Sequence, residues 1–379
     1  MQRSARRYLV LLVAVAAVAF FLYKFGNSIA LQGFHWSSVT ESLRQANLAL
    51  LGLGVVTIYT CFAIRSLRWM RFCRAIGATQ FLHVYGATLM GFSCTFLLGR
   101  AGEPIRPVLI AKKDSLPVAP MFGVYVLERV SDMAATAVLA GIALLVFERS
   151  GGRLGGSDPM VAKARSAGML LLVLLIGAVL FLIYFRHKGG EWLEQRLQNP
   201  KWRVGWREKI AVLLEGFSDG LRGIRTWSDL GVLILYTVIH WVLVACVYLW
   251  VAHAFGGKLG ELTYSGAILV LAFGMVGSAV QLPGVGGGAQ LATFLVLTLI
   301  FGVEKGPAAT MSIVVWLIGF ASCCFVGLPL LFREGWSMGE LRRMAEAEER
   351  AGEAVLLEEA EHGGKPSTQG SKDLGERTP

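Results

Sequence analysis

Three charged side chains lie close together in one of the most apolar parts of the chain. Glu128, Arg129 and Asp132 fall inside the hydrophobic segment 118–147. On a helix, Glu128 and Asp132 would share one face, with Arg129 beside them. An isolated charge near the centre of a bilayer costs about 2.5–3.5 kcal/mol, so these groups need partners or water. Ionisable residues at that depth are often part of a substrate or ion pathway.

A second charged group precedes this segment and supplies suitable partners. Residues 99–107 include Arg100, Glu103 and Arg106 between glycine and proline residues. An arginine guanidinium binds a phosphate through two parallel hydrogen bonds, and carboxylates can hold it in place. We therefore expect a polar cavity that binds an anionic phosphate. The alternative is a structural ion-pair cluster that fixes this stretch against the following span.

A second break interrupts the apolar sequence in the other half of the chain. It contains Pro283, Gly284 and Gly287. Helix-breaking residues are tolerated at membrane depth only where the freed backbone is buried in protein or lines a polar cavity. The break carries no charge and lacks the lysine and hydroxyl residue of a phosphate-binding P-loop. It can contribute backbone N–H groups, and Gln281 and Gln290 can hydrogen-bond a headgroup or each other.

The composition indicates a membrane protein with several spans. Of its 379 residues, 55% are hydrophobic and 16% are charged, whereas soluble domains average about 25% charged residues. The six cysteines include no C-x-x-C pair, so neither a disulfide framework nor a zinc site is indicated. The chain contains no nucleotide-binding motif and no Ser/His or His-metal arrangement. We therefore expect no enzyme activity, no metal or cofactor, and no nucleic-acid partner.

Basic residues between the apolar segments predict the topology. Arg3, Arg6 and Arg7 precede the first segment, and an arginine cluster at 65–74 follows the second. Positively charged loops favour the cytoplasmic side. The basic residues that follow the third segment stay on that side only if 81–112 enters the membrane and returns as a broken-helix hairpin. The apolar segments are 8–25, 48–64, 81–98, 118–147, 168–185, 230–255, 264–282, 291–302 and 308–332.

We predict an all-α, polytopic membrane helix bundle built from two inverted repeats. Residues 1–147 and 168–332 would each supply three spans and one re-entrant broken-helix hairpin, in opposite orientations. Many transporters have this arrangement, with the substrate site where the broken helices meet. Both termini would be cytoplasmic. The alternative is nine simple spans with the C-terminal tail outside.

Two further segments complete the predicted organisation around the membrane domain, residues 1–332. Residues 186–228 are basic and carry an apolar helical stripe with tryptophan anchors. This pattern predicts a cytoplasmic amphipathic helix lying on anionic lipid, or a linker helix packed on the bundle. Residues 333–379 carry seven basic and eleven acidic side chains. We expect a cytoplasmic tail that is partly helical and then disordered.

Four motifs, taken together and in order, resemble the lysylphosphatidylglycerol synthase transmembrane family, the flippase-like part of multiple peptide resistance factors. The resemblance extends from about Arg3 to Arg333. At one position the chain departs from the family pattern, because Gln290 stands where the family usually has an acid. The carboxylate that would recognise a cationic aminoacyl group is therefore missing. The motifs are Arg65-x-x-Arg68-Trp69, Gly99-Arg100-x-Gly102-Glu103-x-x-Arg106, Glu128-Arg129-x-x-Asp132 and Pro283-Gly284-x-x-Gly287.

The resemblance implies an integral protein of the bacterial inner membrane that moves phospholipids between leaflets. An anionic or modified phospholipid would bind in the polar cavity. The alternative is an accessory subunit that presents lipid-linked substrates to an envelope-modifying enzyme, as a homo-oligomer or with that enzyme as partner. The 47 residues after Phe332 are too few for a soluble synthetase domain, so we expect no aminoacyl transfer. The expected site residues are Arg65, Arg68, Arg100, Glu103, Arg106, Glu128, Arg129, Asp132, Pro283, Gly284, Gly287 and Gln290.

Overall fold

A computed structural model provides the fold of the chain. The predicted segments 8–25 and 168–185, most of the predicted loop 186–228 and the tail from residue 336 lie outside the residues that it describes. The described residues are 36–74, 76–149, 227–278, 281–282 and 286–335. Helices joined by short turns dominate this part of the chain, as the sequence predicted, and two very short strands interrupt them.

The first half of the described structure is helical. Its third helix coincides with the predicted apolar segment 81–98, and its fifth begins where segment 118–147 was predicted to begin. Asn47 caps the second helix, because its side chain accepts hydrogen bonds from the backbone N–H groups of Ala49 and Leu50. The elements are α1 (Trp36–Gln45), α2 (Leu48–Cys73), α3 (Phe81–Leu98), a 3-10 turn (Gly99–Gly102), α4 (Ile105–Lys113) and α5 (Val118–Arg149).

The second half has the same helical character, with two irregular regions. A two-residue antiparallel ladder lies at the predicted second break, where Gln281 pairs with Gly287. A π-helical turn, Leu317–Ala321, lies within the final long helical stretch. The elements are α6 (Trp227–Phe255), α7 (Gly257–Gly260), α8 (Tyr264–Gly277), β1 (Gln281–Leu282), β2 (Gly286–Gly287), α9 (Gly288–Leu299), α10 (Lys305–Trp316) and α11 (Cys324–Arg333).

Among the described residues, four helical stretches are long and apolar enough to cross a membrane. They are Leu48–Cys73, Phe81–Leu98, Ser228–Phe255 and Lys305–Arg333. Helices α8 and α9 have 14 and 12 residues, fewer than the roughly 17–25 that a span requires. The chain is therefore a membrane protein whose described part combines helices of spanning length with shorter apolar helices.

Helix α4 folds back along α3. A Cβ atom added to Gly102 would overlap the backbone carbonyl of Cys94. Further along the pair, the Lys113 Nζ atom lies 3.6 Å from the position of a Cβ atom on Gly86. Later residues of the returning segment thus contact earlier residues of α3, so α3 and α4 are antiparallel. Glycine at Gly102 lets the two backbones come this close, because it has no side chain.

Helix α9 folds back along α8 in the same way. A Cβ atom on Gly277 would overlap the backbone carbonyl of Gly288. A Cβ atom on Gly266 would lie 3.1 Å from the Phe301 ring at the other end of the pair. The 3-10 turn between α3 and α4 lies against β1. The two chain breaks of the sequence therefore meet at the tips of two helical hairpins.

The hydrophobic core has two main parts, and they lie at opposite ends of α6. One part joins Leu233, near the start of α6, to Ile110 of the first hairpin. The other joins Val251, near the end of α6, to Leu297 of the second hairpin. With 29 residues, α6 is about 43 Å long at 1.5 Å per residue. The open ends of the two hairpins therefore face opposite ends of this helix.

Candidate functional site

The carboxylate of Glu128 on α5 is the centre of a buried ion-pair cluster. It is fully buried and contacts four guanidinium groups. Its Oε1 atom lies 3.0 Å from Arg65 and 3.2 Å from Arg68. Its Oε2 atom binds Arg106 and lies 3.4 Å from Arg129. One carboxylate thus joins residues from α2, α4 and α5.

Asp132 lies one helical turn after Glu128 and shares its arginine partners. Its Oδ2 atom is 3.0 Å from Arg65, and its Oδ1 atom is 2.6 Å from Arg68. A weaker contact of 3.5 Å links it to Arg129. The two carboxylates therefore lie on one face of α5, as their spacing predicted. They form a double bridge to α2, and this accounts for the pairing that charges at this depth require.

The arginine cluster at the end of α2 divides into two buried and two partly exposed side chains. The arginine cluster 65–74 was predicted to be cytoplasmic, with Arg65 and Arg68 also expected among the site residues; the helix continues to Cys73, and both of these side chains are buried. Arginine is a good helix former, and the acidic partners on α5 compensate its charge inside the bundle. In contrast, Arg71 and Arg74 lie 3.9 and 3.4 Å from Asp229 and are partly exposed.

Arg106 is held between a carboxylate and aromatic rings. Besides its ion pair with Glu128, its guanidinium lies 4.6 Å from the centroid of the Trp69 ring and 5.9 Å from that of Phe92. The face of an aromatic ring attracts a cation. Glycine at Gly91 makes room for the side chain, because a Cβ atom there would lie 2.6 Å from the Arg106 Cβ. Arg106 is thus buried and firmly oriented.

Glu103 and Arg129 form the more accessible edge of the cluster. The Glu103 Oε2 atom accepts a hydrogen bond of 2.7 Å from the Tyr125 hydroxyl and lies 3.7 Å from Arg129. The Arg129 guanidinium also lies 5.4 Å from the centroid of the Tyr125 ring. Its side chain is 35% exposed, in contrast to the other three arginines of the cluster. Arg129 is therefore the cluster arginine that solvent or a ligand reaches most easily.

His240 on α6 also belongs to the cluster. Its Nε2 atom lies 3.2 Å from Arg65 Nη2, and its Nδ1 atom lies 3.2 Å from the Cys61 carbonyl. A guanidinium can only donate, so Nε2 must accept and Nδ1 must carry the proton that is donated to Cys61. His240 is therefore neutral in this arrangement and orients Arg65. A lone histidine in an apolar segment gives no signal of such a role.

A cavity of about 490 Å³ adjoins the cluster and extends between the two hairpins. Residues of the cluster and neutral polar residues both line it. The π-helical turn adds Gly319 and Phe320 to the wall, and such turns occur frequently at functional sites. The charged and histidine residues of the lining are Arg65, Glu103, Arg106, Arg129, Asp132 and His240, and the hydroxyl and amide residues are Thr95, Tyr125, Tyr248, Ser278, Gln290, Thr293 and Ser312.

The two breaks contribute backbone geometry to this site. Gly99 and Gly287 have positive φ angles of 68° and 146°, which a residue with a side chain rarely adopts. Gln290 lines the cavity, and its Oε1 atom accepts a 2.5 Å hydrogen bond from the Gly287 N–H group. Arg100 lies in the 3-10 turn, and its side chain is outside the described part of the structure. Pro283 and Gly284 are likewise outside the described residues.

Five residues of the cavity wall have a buried N–H group without a hydrogen-bond partner in the described part of the chain. All five groups are donors, so a ligand that satisfies them must supply acceptors. The Arg106 side chain is 95% or more buried, and its Nη1 atom is one of these donors. The set is Arg65 Nε, Arg106 Nη1, Arg129 Nε, Trp241 Nε1 and Trp316 Nε1.

The charge balance of the cluster also favours an anion. Four arginines, Arg65, Arg68, Arg106 and Arg129, face three carboxylates, and the difference leaves one positive charge. His240 adds no charge in the tautomer assigned above. Within the ranges that the structure describes, no group of three His, Cys, Asp or Glu residues is arranged to hold a metal ion. The arrangement can therefore bind an anionic group through arginine.

A protein-family model described as the lysylphosphatidylglycerol synthase TM region matches residues 9–327. The chain belongs to this family. The match includes the ion-pair cluster and both breaks, and it places the chain among membrane proteins linked to lipid modification. A search of the curated proteins finds no match. The described residues of the four sequence motifs lie close together, in the ion-pair cluster, on the cavity wall or at the hairpin tips.

Proposed function

We propose that the protein is a lipid flippase that moves an anionic phospholipid between leaflets through the cavity between the two hairpins. The excess of buried donors on the cavity wall supports this proposal most directly. Phosphate oxygens are strong acceptors, and guanidinium groups bind them in a planar, bidentate geometry. Arg106 and Arg129 would bind the phosphate. Glu103, Glu128 and Asp132 would hold the arginines in position.

The exposed edge of the cavity favours a lipid over a soluble anion. Met133 on α5 and Val276 on α8 line the cavity, and their side chains are 69% and 65% exposed. Arg129 lies one helical turn from Met133. A phospholipid could therefore insert its headgroup beside Arg129 while its acyl chains remain among apolar side chains. A volume of about 490 Å³ suits a headgroup, since pockets for small ligands measure roughly 300–1,000 Å³.

The arrangement of the hairpins supports movement between two leaflets. Their open ends face opposite ends of α6, and their tips meet beside the cavity. In an inverted-repeat transporter, rocking of one half against the other exposes a fixed central site to each side in turn. We propose that residues 1–147 and 168–332 are such halves, each with a re-entrant hairpin. The protein would then lie in a bacterial inner membrane with both termini in the cytoplasm.

Lipid movement can be measured with purified protein in liposomes. A phosphatidylglycerol with a fluorescent acyl chain is placed in both leaflets, and dithionite is added outside to quench the outer leaflet. Liposomes with wild-type protein should lose nearly all fluorescence, whereas protein-free liposomes should lose about half. Fluorescence beyond the first half is lost only as lipid moves from the inner to the outer leaflet. The variants Arg106→Ala and Glu128→Gln should slow this second phase by about tenfold or more, which corresponds to about 1.4 kcal/mol in the barrier to lipid movement.

A matched control separates the cavity from the general effect of removing an arginine. Arg74→Ala removes a side chain that is 54% exposed and pairs with Asp229. This variant should move lipid at the wild-type rate. If lipid moves no faster in liposomes with wild-type protein than in protein-free liposomes, the flippase proposal is wrong and the accessory-subunit hypothesis becomes the better one. If Arg106→Ala moves lipid as fast as wild type, the cavity is not the route.

A further inference from the structure

Part of the cavity lining, from α6, α9 and α10, carries hydroxyl and amide groups without a charge. Tyr248 on α6 shares a hydrogen bond with Thr293 on α9, and both lie against Gly274. Ser312 on α10 and Gln290 on α9 complete this surface. We call these four residues, Tyr248, Gln290, Thr293 and Ser312, the neutral wall. Hydroxyl and amide groups can both donate and accept, so this wall suits a ligand with hydroxyl groups.

The carboxylates of the cavity are already engaged by arginine. Asp132 contacts Arg65, Arg68 and Arg129, and Glu103 contacts Arg129 and the Tyr125 hydroxyl. Among the described residues that line the cavity, these are the two acidic side chains. A ligand ammonium group would have to compete with arginine for either one. It would also meet a cluster with an excess positive charge, which disfavours a second cation.

We propose that the neutral wall is a subsite for the end of the headgroup, and that it selects an uncharged, hydroxyl-bearing group such as glycerol or a sugar over an amine. This inference rests on the proposed function, since it names the class of lipid that the same cavity carries. The phosphate binds the arginines, and the hydroxyl groups beyond it bind the neutral wall. Gln290 determines the specificity, because glutamine at this position leaves the wall neutral, whereas glutamate would make it acidic.

The hydrogen bond between Gln290 and Gly287 can be kept while the charge of the wall is changed. Gln290 is the third residue of α9, and its Oε1 atom accepts from the Gly287 N–H group at the start of the helix. Glutamate can make the same hydrogen bond, because glutamine and glutamate both serve at this helix position. A negative charge is also favourable at a helix N-terminus. Gln290→Glu should therefore fold like wild type and add one carboxylate to the neutral wall.

The test compares three lipids that carry the same fluorescent acyl chain in the liposome assay. They are phosphatidylglycerol, which ends in hydroxyl groups, phosphatidylethanolamine, which ends in an amine, and phosphatidic acid, which ends at the phosphate. Wild-type protein should move phosphatidylglycerol at least about tenfold faster than the other two. Gln290→Glu should reduce its preference over phosphatidylethanolamine to about threefold or less. Tyr248→Phe should reduce the preference over phosphatidic acid, because it removes a hydroxyl group from the subsite.

Each outcome has a separate meaning. If wild type moves phosphatidylethanolamine as fast as phosphatidylglycerol, the inference is wrong and the flippase proposal stands. If phosphatidic acid moves as fast as phosphatidylglycerol, the hydroxyl subsite is wrong, although phosphate recognition by arginine remains. If none of the three lipids moves faster than in protein-free liposomes, both proposals fail. If Gln290→Glu keeps the wild-type preference while its thermal stability is unchanged, Gln290 does not set the specificity.

Discussion

The two hairpins have a similar backbone arrangement but carry different chemistry. In each one, a short helix folds back along its predecessor, glycine permits the close approach, and a glycine with positive φ lies at the break. The first hairpin contributes Arg106 and Glu103 to a buried ionic cluster, whereas the second contributes Gln290 and Thr293 to an uncharged wall. Glycine and chain reversal thus provide the shape of the cavity, and the side chains beside it determine what binds.

The two regions also differ in how their stability depends on single residues. Buried charges are tolerated only while each has its partner, so the loss of one leaves the others uncompensated. Neutral hydrogen bonds contribute about 0.5–1.5 kcal/mol each. The first hairpin and its neighbours should therefore respond much more strongly to substitution than the neutral wall.

The largest effect is expected for Glu128→Ala. This change removes the carboxylate that four arginines share, and breaking a buried pair costs about 3–5 kcal/mol. The free energy of unfolding can be measured in detergent by denaturant titration. Asp229→Asn is the matched control, because this acid pairs with the partly exposed Arg71 and Arg74 and should cost no more than about 1 kcal/mol. If both variants lose the same free energy of unfolding, the charges of the cluster are surrounded by water rather than buried.

A smaller loss is expected for Gly277→Ala in the second hairpin. A Cβ atom at this position would overlap the Gly288 carbonyl, and overpacking of this kind costs about 1–3 kcal/mol. Gly231→Ala on α6 is the control, because no atom lies within 4 Å of the added Cβ. That change should stabilise the helix by up to about 1 kcal/mol. A neutral result for Gly277→Ala would mean that α8 and α9 pack less closely than described.

Arg106→Lys should affect transport more than folding. Lysine keeps the charge opposite Glu128 but loses the planar fork that binds phosphate and stacks on Trp69. We expect the rate of phosphatidylglycerol movement to fall by about tenfold, since a hydrogen bond to a charged group contributes about 1.5–3 kcal/mol. Arg74→Lys should keep the wild-type rate. An unchanged rate in Arg106→Lys would show that charge alone is sufficient at this position.

The smallest effect on stability is expected for Tyr248→Phe in the neutral wall. The change removes one hydroxyl group that shares a hydrogen bond with Thr293 and leaves the ring in place. The free energy of unfolding should fall by about 1 kcal/mol or less. A loss as large as that of Glu128→Ala would contradict the difference between the two walls.

Much of the helix pattern could be predicted from the sequence. Segment 81–98 is the helix Phe81–Leu98, and the segment predicted at 230–255 lies within Trp227–Phe255. The length of an apolar segment indicates directly where a helix of spanning length lies. The apolar segment 48–64 covers only the first part of α2, because the helix continues through the arginine cluster to Cys73. Only the acidic face of α5, which is distant in sequence, makes it possible for Arg65 and Arg68 to lie inside.

The site was predicted in part. Spacing identified Glu128 and Asp132 as neighbours on one face, and proximity in sequence suggested Arg106 as a partner, which Glu128 binds. His240 was missed, because its partner Arg65 is remote in the chain and no local pattern links them. The π-helical turn at Leu317–Ala321 was missed as well, since its residues form an ordinary apolar run.

The sequence by itself determined that this chain is a membrane protein, where its long apolar helices lie, and which charges and glycines interrupt them. These properties follow from local composition, and they also support membership of the lysylphosphatidylglycerol synthase TM family. The tertiary structure alone decided which arginines pair with which carboxylates, and that a charged wall and a neutral wall enclose one cavity. The physical reason is that ion pairs and cavities depend on the distances between helices. Those distances result from the packing of residues that are remote in the sequence.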